Sequence, residues 1–258
     1  MGSLASALSL TERFGREHFT FSGGLPENFG IEVIIEYIPE RLENCHIYSR
    51  TSGKNELKYW YETFTHDIQP KPSRFSYDIP LTYHIGRCHM KLTSITYRLE
   101  GRYGERDWER SGHHGIIDLT DTRSEWTRQF DAHGQLRLRG YCSRHFRLSE
   151  ARSRVGEIEK SHFCYQADEN WVKETKPATR LFTELMVGLD ELAGKTVSLD
   201  IRLDPEERPF FSNRWIQFPE GWKPCLLTED EWNSCQSPPV FKTFKMHGRE
   251  CTVYPTCN

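Results

Sequence analysis

Eight cysteines in a chain of 258 residues, at positions 45, 88, 142, 164, 225, 235, 251 and 257, set the tightest bound on how it can fold. They are even in number and no two form a C-x-x-C pair, so neither a paired zinc knuckle nor a thioredoxin-type motif is present. The pattern reads as four disulfides made in an oxidising compartment; eight free thiols in a cytosolic protein is the competing reading. Loop-closure entropy favours near neighbours and so predicts a sequential pairing. That order joins Cys45 to Cys88, Cys142 to Cys164, Cys225 to Cys235 and Cys251 to Cys257.

The length suits one large β domain or two of about 100 to 130 residues, and two are expected, over 1–120 and 121–258. Hydrophobic residues make up 36% and aromatics 13%, enough for a core, while a mean hydropathy of -0.69 implies much solvated surface. A formal charge of -3 argues against a dedicated nucleic-acid binder, whose basic footprint should dominate. The basic run from Arg137 to Arg154 is followed by Glu157 and Glu159 and reads as a solvated face. No apolar run is long enough to span a membrane as a helix. The start, MGSLASALSL, has no basic n-region and only a short apolar stretch. It reads as a place where an export signal was removed, with Met1, Gly2 and Ser3 left or added; an N-terminal lipid anchor in the native form is compatible with this.

Two segments resemble each other. Lys91 to Glu100 reads KLTSITYRLE and Lys195 to Asp204 reads KTVSLDIRLD, with apolar residues at Leu92, Ile95, Tyr97 and Leu99 matched by Val197, Leu199, Ile201 and Leu203. Both read as strands rich in β-branched residues. Upstream, KPSRF and KPATRLF stand at nearly the same offset. Leu181, Leu185, Leu189 and Leu192 have helical spacing, but the first copy carries Pro80 in the matching stretch, so strand, loop, strand is expected in both, with a short helical turn at Gly188 to Ala193. GIEVIIEYIP should be a strand apolar on both faces that stops at Pro39. CHIYSR and LKYWYETF should form a hairpin around TSGKN, and EWTRQFDAHGQLRLRGYC another around DAHG. GRYGERDWERSGHHG should be an exposed loop, and ARSRVGEIEK a second loop before the strand SHFCYQ. From Pro205 the chain reads as an irregular, disulfide-pinned extension, with Thr228 and Glu231 as a capping box for one helical turn. The fold class expected is all-β: two related antiparallel β-sandwich-like domains with a disulfide-pinned C-terminal extension.

Chemical motifs are weak. Cys142, His145, His162 and Cys164 would suit tetrahedral zinc, but the spacing matches no known finger and oxidation would join the thiols first. His113 and His114, with Asp118 and Asp121 beyond, have a metal-site look, yet adjacent histidines on a strand face opposite ways. The chain has no G-x-S-x-G elbow, Walker loop, G-x-G-x-x-G or H-E-x-x-H. No catalytic residue, metal or cofactor is therefore assigned. What remains is aromatic residues beside charges on expected loops: Tyr103, Glu105, Arg106, Asp107 and Trp108 in one cluster, Glu229, Asp230 and Trp232 in another. Such clusters have the composition of interface hot spots, and the bland alternative is that each tryptophan folds back on its own domain.

The stretch CHMKLTSITYRLEGRYGERDW resembles a strand and loop of periplasmic immunity proteins encoded beside antibacterial phospholipase effectors of type VI secretion, those of phospholipase D type in particular. The resemblance implies a periplasmic, non-enzymatic inhibitor that binds a cognate phospholipase toxin and protects the cell and its kin. No functional residues are carried over from the family. A phospholipase D-type site binds a phosphodiester through histidine and lysine, so Glu105 and Asp107, or Glu229 and Asp230, would meet that basic cleft, with Trp108 or Trp232 as apolar anchor. The alternatives are an exported glycan- or ligand-binding β-sandwich and a secreted hydrolase whose site is assembled from distant residues.

Overall fold

A computed structural model describes residues 12–173, 185–229 and 233–257. Along the chain the first strands are β1 (Glu12–Phe14), β2 (His18–Leu25), β3 (Phe29–Pro39), β4 (His46–Ser49), β5 (Lys54–Leu57) and β6 (Trp60–Gln69). There follow β7 (Ser73–Pro80), β8 (Thr82–Ile85), β9 (Cys88–Arg102), β10 (Arg110–Thr120), β11 (Thr127–Arg128), β12 (Gln135–Leu148) and β13 (Ile158–Gln166). The last are β14 (Leu185–Gly188), β15 (Thr196–Pro209), β16 (Trp215–Phe218), β17 (Gly221–Pro224), β18 (Phe244–Met246) and β19 (Arg249–Cys251). The protein is all-β: among the described residues the helical segments are short 3-10 turns. Among the described residues no helix is long and apolar enough to cross a membrane.

The chain divides into two compact units, each drawn from separated stretches. The first comprises 1–100, 113–141 and 164–202; the second comprises 101–112, 142–163 and 203–258. One sheet has eight strands, in the order β1-β8-β9-β10-β14-β11 with β3 joining β9 to β6, and another has five, in the order β13-β12-β15-β2-β7. Alternation explains the core. Phe29, Ile31, Val33, Ile35 and Tyr37 of β3 point one way and are at most 2% exposed, while Glu32 and Glu36 on the other face are only partly covered. Phe19, Phe21 and Leu25 of β2, with Phe75 and Ile79 of β7, do the same in the second sheet. The Tyr37 hydroxyl, buried among these side chains, donates to the Pro80 carbonyl at 2.8 Å and so links the two sheets.

The two similar segments lie on β9 and β15, each an interior strand of its own sheet. Leu92, Ile95, Tyr97 and Leu99 are buried, and so are Val197, Leu199 and Ile201. Their pairings differ: β9 starts as the second strand of an antiparallel hairpin with β8, whereas β15 lies parallel to β2. Other parallel pairs join β14 to β10 and to β11. Such pairs need long crossovers, and side-chain alternation carries no sign of them.

Local expectations fared according to whether their partners were local. A hairpin forms after CHIYSR, but its second strand is β5 (Lys54–Leu57); LKYWYETF from Trp60 onward belongs to β6 and pairs with β3 instead. Leu185–Gly188 is a strand followed by a 3-10 turn at Leu189–Glu191, so the helical spacing of the leucines is not used there; Leu181 lies outside the described residues. The DAHG turn also forms, with Asp131 Oδ1 accepting from the backbone N–H of His133 and Gln135 at 2.8 and 2.9 Å. It does not close a hairpin, however. Thr127–Arg128 pairs with β14 in one sheet and β12 pairs in the other, because a turn sets only the local reversal and the ladder partner is chosen by tertiary contacts. The loop expected from Gly101 to Gly115 is confined to 103–109, since β10 already begins at Arg110 and carries both histidines.

In the second unit the segment expected to be irregular contains two short hairpins, β16–β17 and β18–β19. They cover a core of Phe146, Ile158, Trp215, Phe244, Cys251 and Tyr254. Phe146 lies at its centre, its ring centroid 4.2 Å from that of Tyr254 and 4.9 Å from that of Trp215. All eight cysteines are disulfide-bonded. Cys45 pairs with Cys88, Cys225 with Cys235 and Cys251 with Cys257, as near-neighbour closure predicts. Such a set of disulfides belongs to a protein folded in an oxidising compartment.

The parallel ladder offers a direct test of close packing. A Cβ at Gly23 would overlap the Leu199 carbonyl oxygen and crowd the Phe75 ring, whereas one at Gly24 would meet first the movable carboxylate of Asp200. Gly23→Ala should therefore cost ~3 kcal/mol in urea unfolding and Gly24→Ala less than ~1 kcal/mol. Equal losses would show that the β2–β15 approach is looser than described.

Candidate partner-binding loop

The segment that joins β9 to β10 is built around one buried acid. Glu109, 7% exposed, accepts the Arg106 backbone N–H on its carboxylate at 2.8 Å. Its own N–H donates to the Arg106 carbonyl at 2.9 Å, and Tyr103 N–H donates to the Glu109 carbonyl at 2.8 Å. The carboxylate folds over Gly104, where a Cβ would meet it and push it from its place. The loop is thus held from inside rather than shaped by solvent.

Its five sequence-predicted residues divide into two groups. Trp108 is flanked by two cations, the guanidinium carbons of Arg154 and Arg106 lying 4.5 and 5.3 Å from its ring centroid. Arg106 also forms a close ion pair with Glu157. Tyr103 donates from its hydroxyl to the Trp108 carbonyl at 3.4 Å, and burial raises its pKa. These three side chains are engaged within the second unit. Glu105 and Asp107, by contrast, are exposed, Asp107 with 97% of its side chain in solvent and its carboxylate 3.8 Å from Arg110.

The second cluster lies on another loop of the same unit. Glu229 is exposed; Asp230 and Trp232 lie outside the described residues, as does Glu231 of the expected capping box. The base of this loop is closed by Cys225–Cys235 and by Thr228, whose N–H donates to the Ser234 carbonyl at 2.8 Å. Its hydroxyl points to that same carbonyl at 3.3 Å.

The histidines and cysteines with metal or base character do not form a metal-holding group among the described residues. Cys142 and Cys164 are disulfide-bonded, and the His145 ring rests edge-on against Phe163 at 4.9 Å. Among the described residues no group of three or more histidine, cysteine or acidic side chains could hold a metal.

A partly buried polar cluster is not announced by any sequence motif. Glu207 of β15 ion-pairs with Lys160 at 3.0 Å and Arg144 at 3.3 Å and accepts a short hydrogen bond from the Tyr254 hydroxyl. Burial first, then the Glu207 carboxylate, pushes the Tyr254 phenol up. His162, 4% exposed, takes part electrostatically: burial and the Arg144 charge lower its pKa to about 4, so its ring is neutral near pH 7. Its backbone N–H donates to Ser111 Oγ at 3.1 Å. The four charged or phenolic partners come from β12, β13, β15 and the C-terminal segment, at sequence distances that no motif could announce. Chemically the cluster fixes the C-terminal segment to the strands of its unit.

No protein-family model, curated protein or solved structure matches this chain.

The cluster predicts an acid sensitivity. Unfolded His162 takes up its proton near pH 6.5 and folded His162 only near pH 4, so the unfolded state holds more protons between those values and stability falls as the pH is lowered. The loss is on the order of 3 kcal/mol by the time both states are protonated. His162→Gln should flatten the dependence of the urea midpoint on pH between 7 and 4. Parallel curves for the two proteins would mean that His162 titrates alike folded and unfolded.

Proposed function

We propose that this chain is an immunity protein that binds and neutralises a secreted antibacterial phospholipase in the periplasm, with loop 103–109 as part of the contact surface. The observation that carries the reading is the loop's construction: the buried Glu109 and the cation-flanked Trp108 fix the backbone, and Glu105 and Asp107 are left outward as a rigid acidic pair. A preorganised surface loses little entropy on binding, and paired carboxylates favour approach to a cationic cleft. A phosphodiester-cleaving site is such a cleft. The choice of phospholipase as partner rests on the resemblance of CHMKLTSITYRLEGRYGERDW to the immunity proteins of phospholipase D-type effectors. The disulfides agree with an exported location.

In this reading Trp108 acts as the loop's internal brace, and Glu105 and Asp107 make the contact. Joint Glu105→Ala and Asp107→Ala substitution should slow association with the toxin encoded beside the gene by about tenfold at low salt and flatten its salt dependence. Surface plasmon resonance at two ionic strengths measures both quantities. Unchanged rates and salt slope would remove this loop from the interface.

A further inference from the structure

The second unit also contains a cavity of about 420 Å³, lined by the end of β12, the turn that follows it, and residues between Phe211 and Thr243. Its volume falls in the range of small-molecule sites. Leu148, Phe211, Trp215 and Leu227 supply an apolar wall. The charged lining is Arg147, Arg214, Lys242 and one acid, Glu150. Arg147 is occupied by Glu159 at 3.2 Å. Arg214 stacks on the Phe211 ring at 4.3 Å, and its buried Nε has no hydrogen-bond partner among the described residues. Its contact with Glu150 is long, 3.7 Å, and that carboxylate has 88% of its side chain in solvent. Lys242 forms no ion pair with the described residues. Burial and the neighbouring Arg214 lower its pKa. Two cations therefore face one concave, half-apolar space with a single, solvated counter-charge between them, an arrangement that costs desolvation unless an anion enters.

We propose that this cavity is a binding site for an oxyanion carried on an apolar body, of the organic phosphate or carboxylate class. Arg214 and Lys242 hold the anion, and Phe211 and Trp215 lie against the body. The site uses none of the residues of loop 103–109 and stands independently of the function proposed above. Phenyl phosphate titrated into the full chain, followed by tryptophan emission and calorimetry, should saturate at one site with Kd of ~1 mM or below. Inorganic phosphate should bind at least ~10-fold more weakly, since it leaves the wall uncovered. Lys242→Met keeps the length of the side chain without its charge and should weaken phenyl phosphate ~10-fold. Glu150→Gln alters an exposed side chain that competes for Arg214, so it should fold as the wild type does and tighten binding a few-fold. The proposal is overturned if neither wild type nor E150Q saturates by ~10 mM, if K242M binds as the wild type does, or if inorganic phosphate matches phenyl phosphate.

Discussion

The parallel ladder between β2 and β15 is the pairing on which the architecture turns. It sets His18–Leu25 beside Thr196–Pro209, and in the order β13-β12-β15-β2-β7 it is the seam between the early strands and the late ones. Remove it and the sheet falls into a three-stranded piece and a two-stranded one, the latter too small to be stable alone. The backbones approach so closely at Gly23 and Leu199 that only a glycine fits, and the Phe75 ring from β7 closes over the same point. A contact so distant in sequence carries a large closure cost, which the burial of Phe19, Phe21, Val197 and Leu199 on the two strands offsets.

With that frame in place, the second unit is organised by polar burial as much as by hydrophobic contact. Its aromatic core around Phe146 is small, and the residues beside it include an ionised cluster on Glu207 and a neutral buried histidine. Disulfides at Cys225–Cys235 and Cys251–Cys257 close short loops in the same region, restricting the unfolded chain where the core is least able to compensate. The candidate surface follows the same principle. Glu109 is sequestered so that Glu105 and Asp107 can be presented, and one acid's burial makes the other two directional.

Much of the fold could be read from residues alone where the informative contact is local or periodic. The inward residues Ile95, Tyr97 and Leu99 follow from period-two alternation, and the near-neighbour disulfides follow from chain entropy. The strand at Leu185–Gly188 is legible despite its helical leucine spacing, because Pro80 in the similar stretch of the chain is incompatible with a helix. Of the candidate loop, composition marked the segment but not the division of labour within it. Tyr103, Arg106 and Trp108 face inward and Glu105 and Asp107 outward, a matter decided by Glu109, Arg154 and Glu157. The DAHG hairpin shows the same boundary: the turn is encoded in four residues, but the strand that β12 pairs with is not.

The amino-acid sequence by itself determined that this chain is a strand-rich, disulfide-bonded protein, because alternation, turn residues and cysteine spacing act over a few residues at a time. Only the tertiary structure decided which strands lie parallel, which glycine has to be a glycine, and where Lys160, Arg144, Tyr254 and His162 gather around Glu207. It likewise decided that Arg214 and Lys242 face one cavity. The physical reason is common to all of these. Ladder partners, buried charges and cavities are set by the balance of desolvation against pairing among groups far apart in sequence, and that balance exists only once the chain has brought them together.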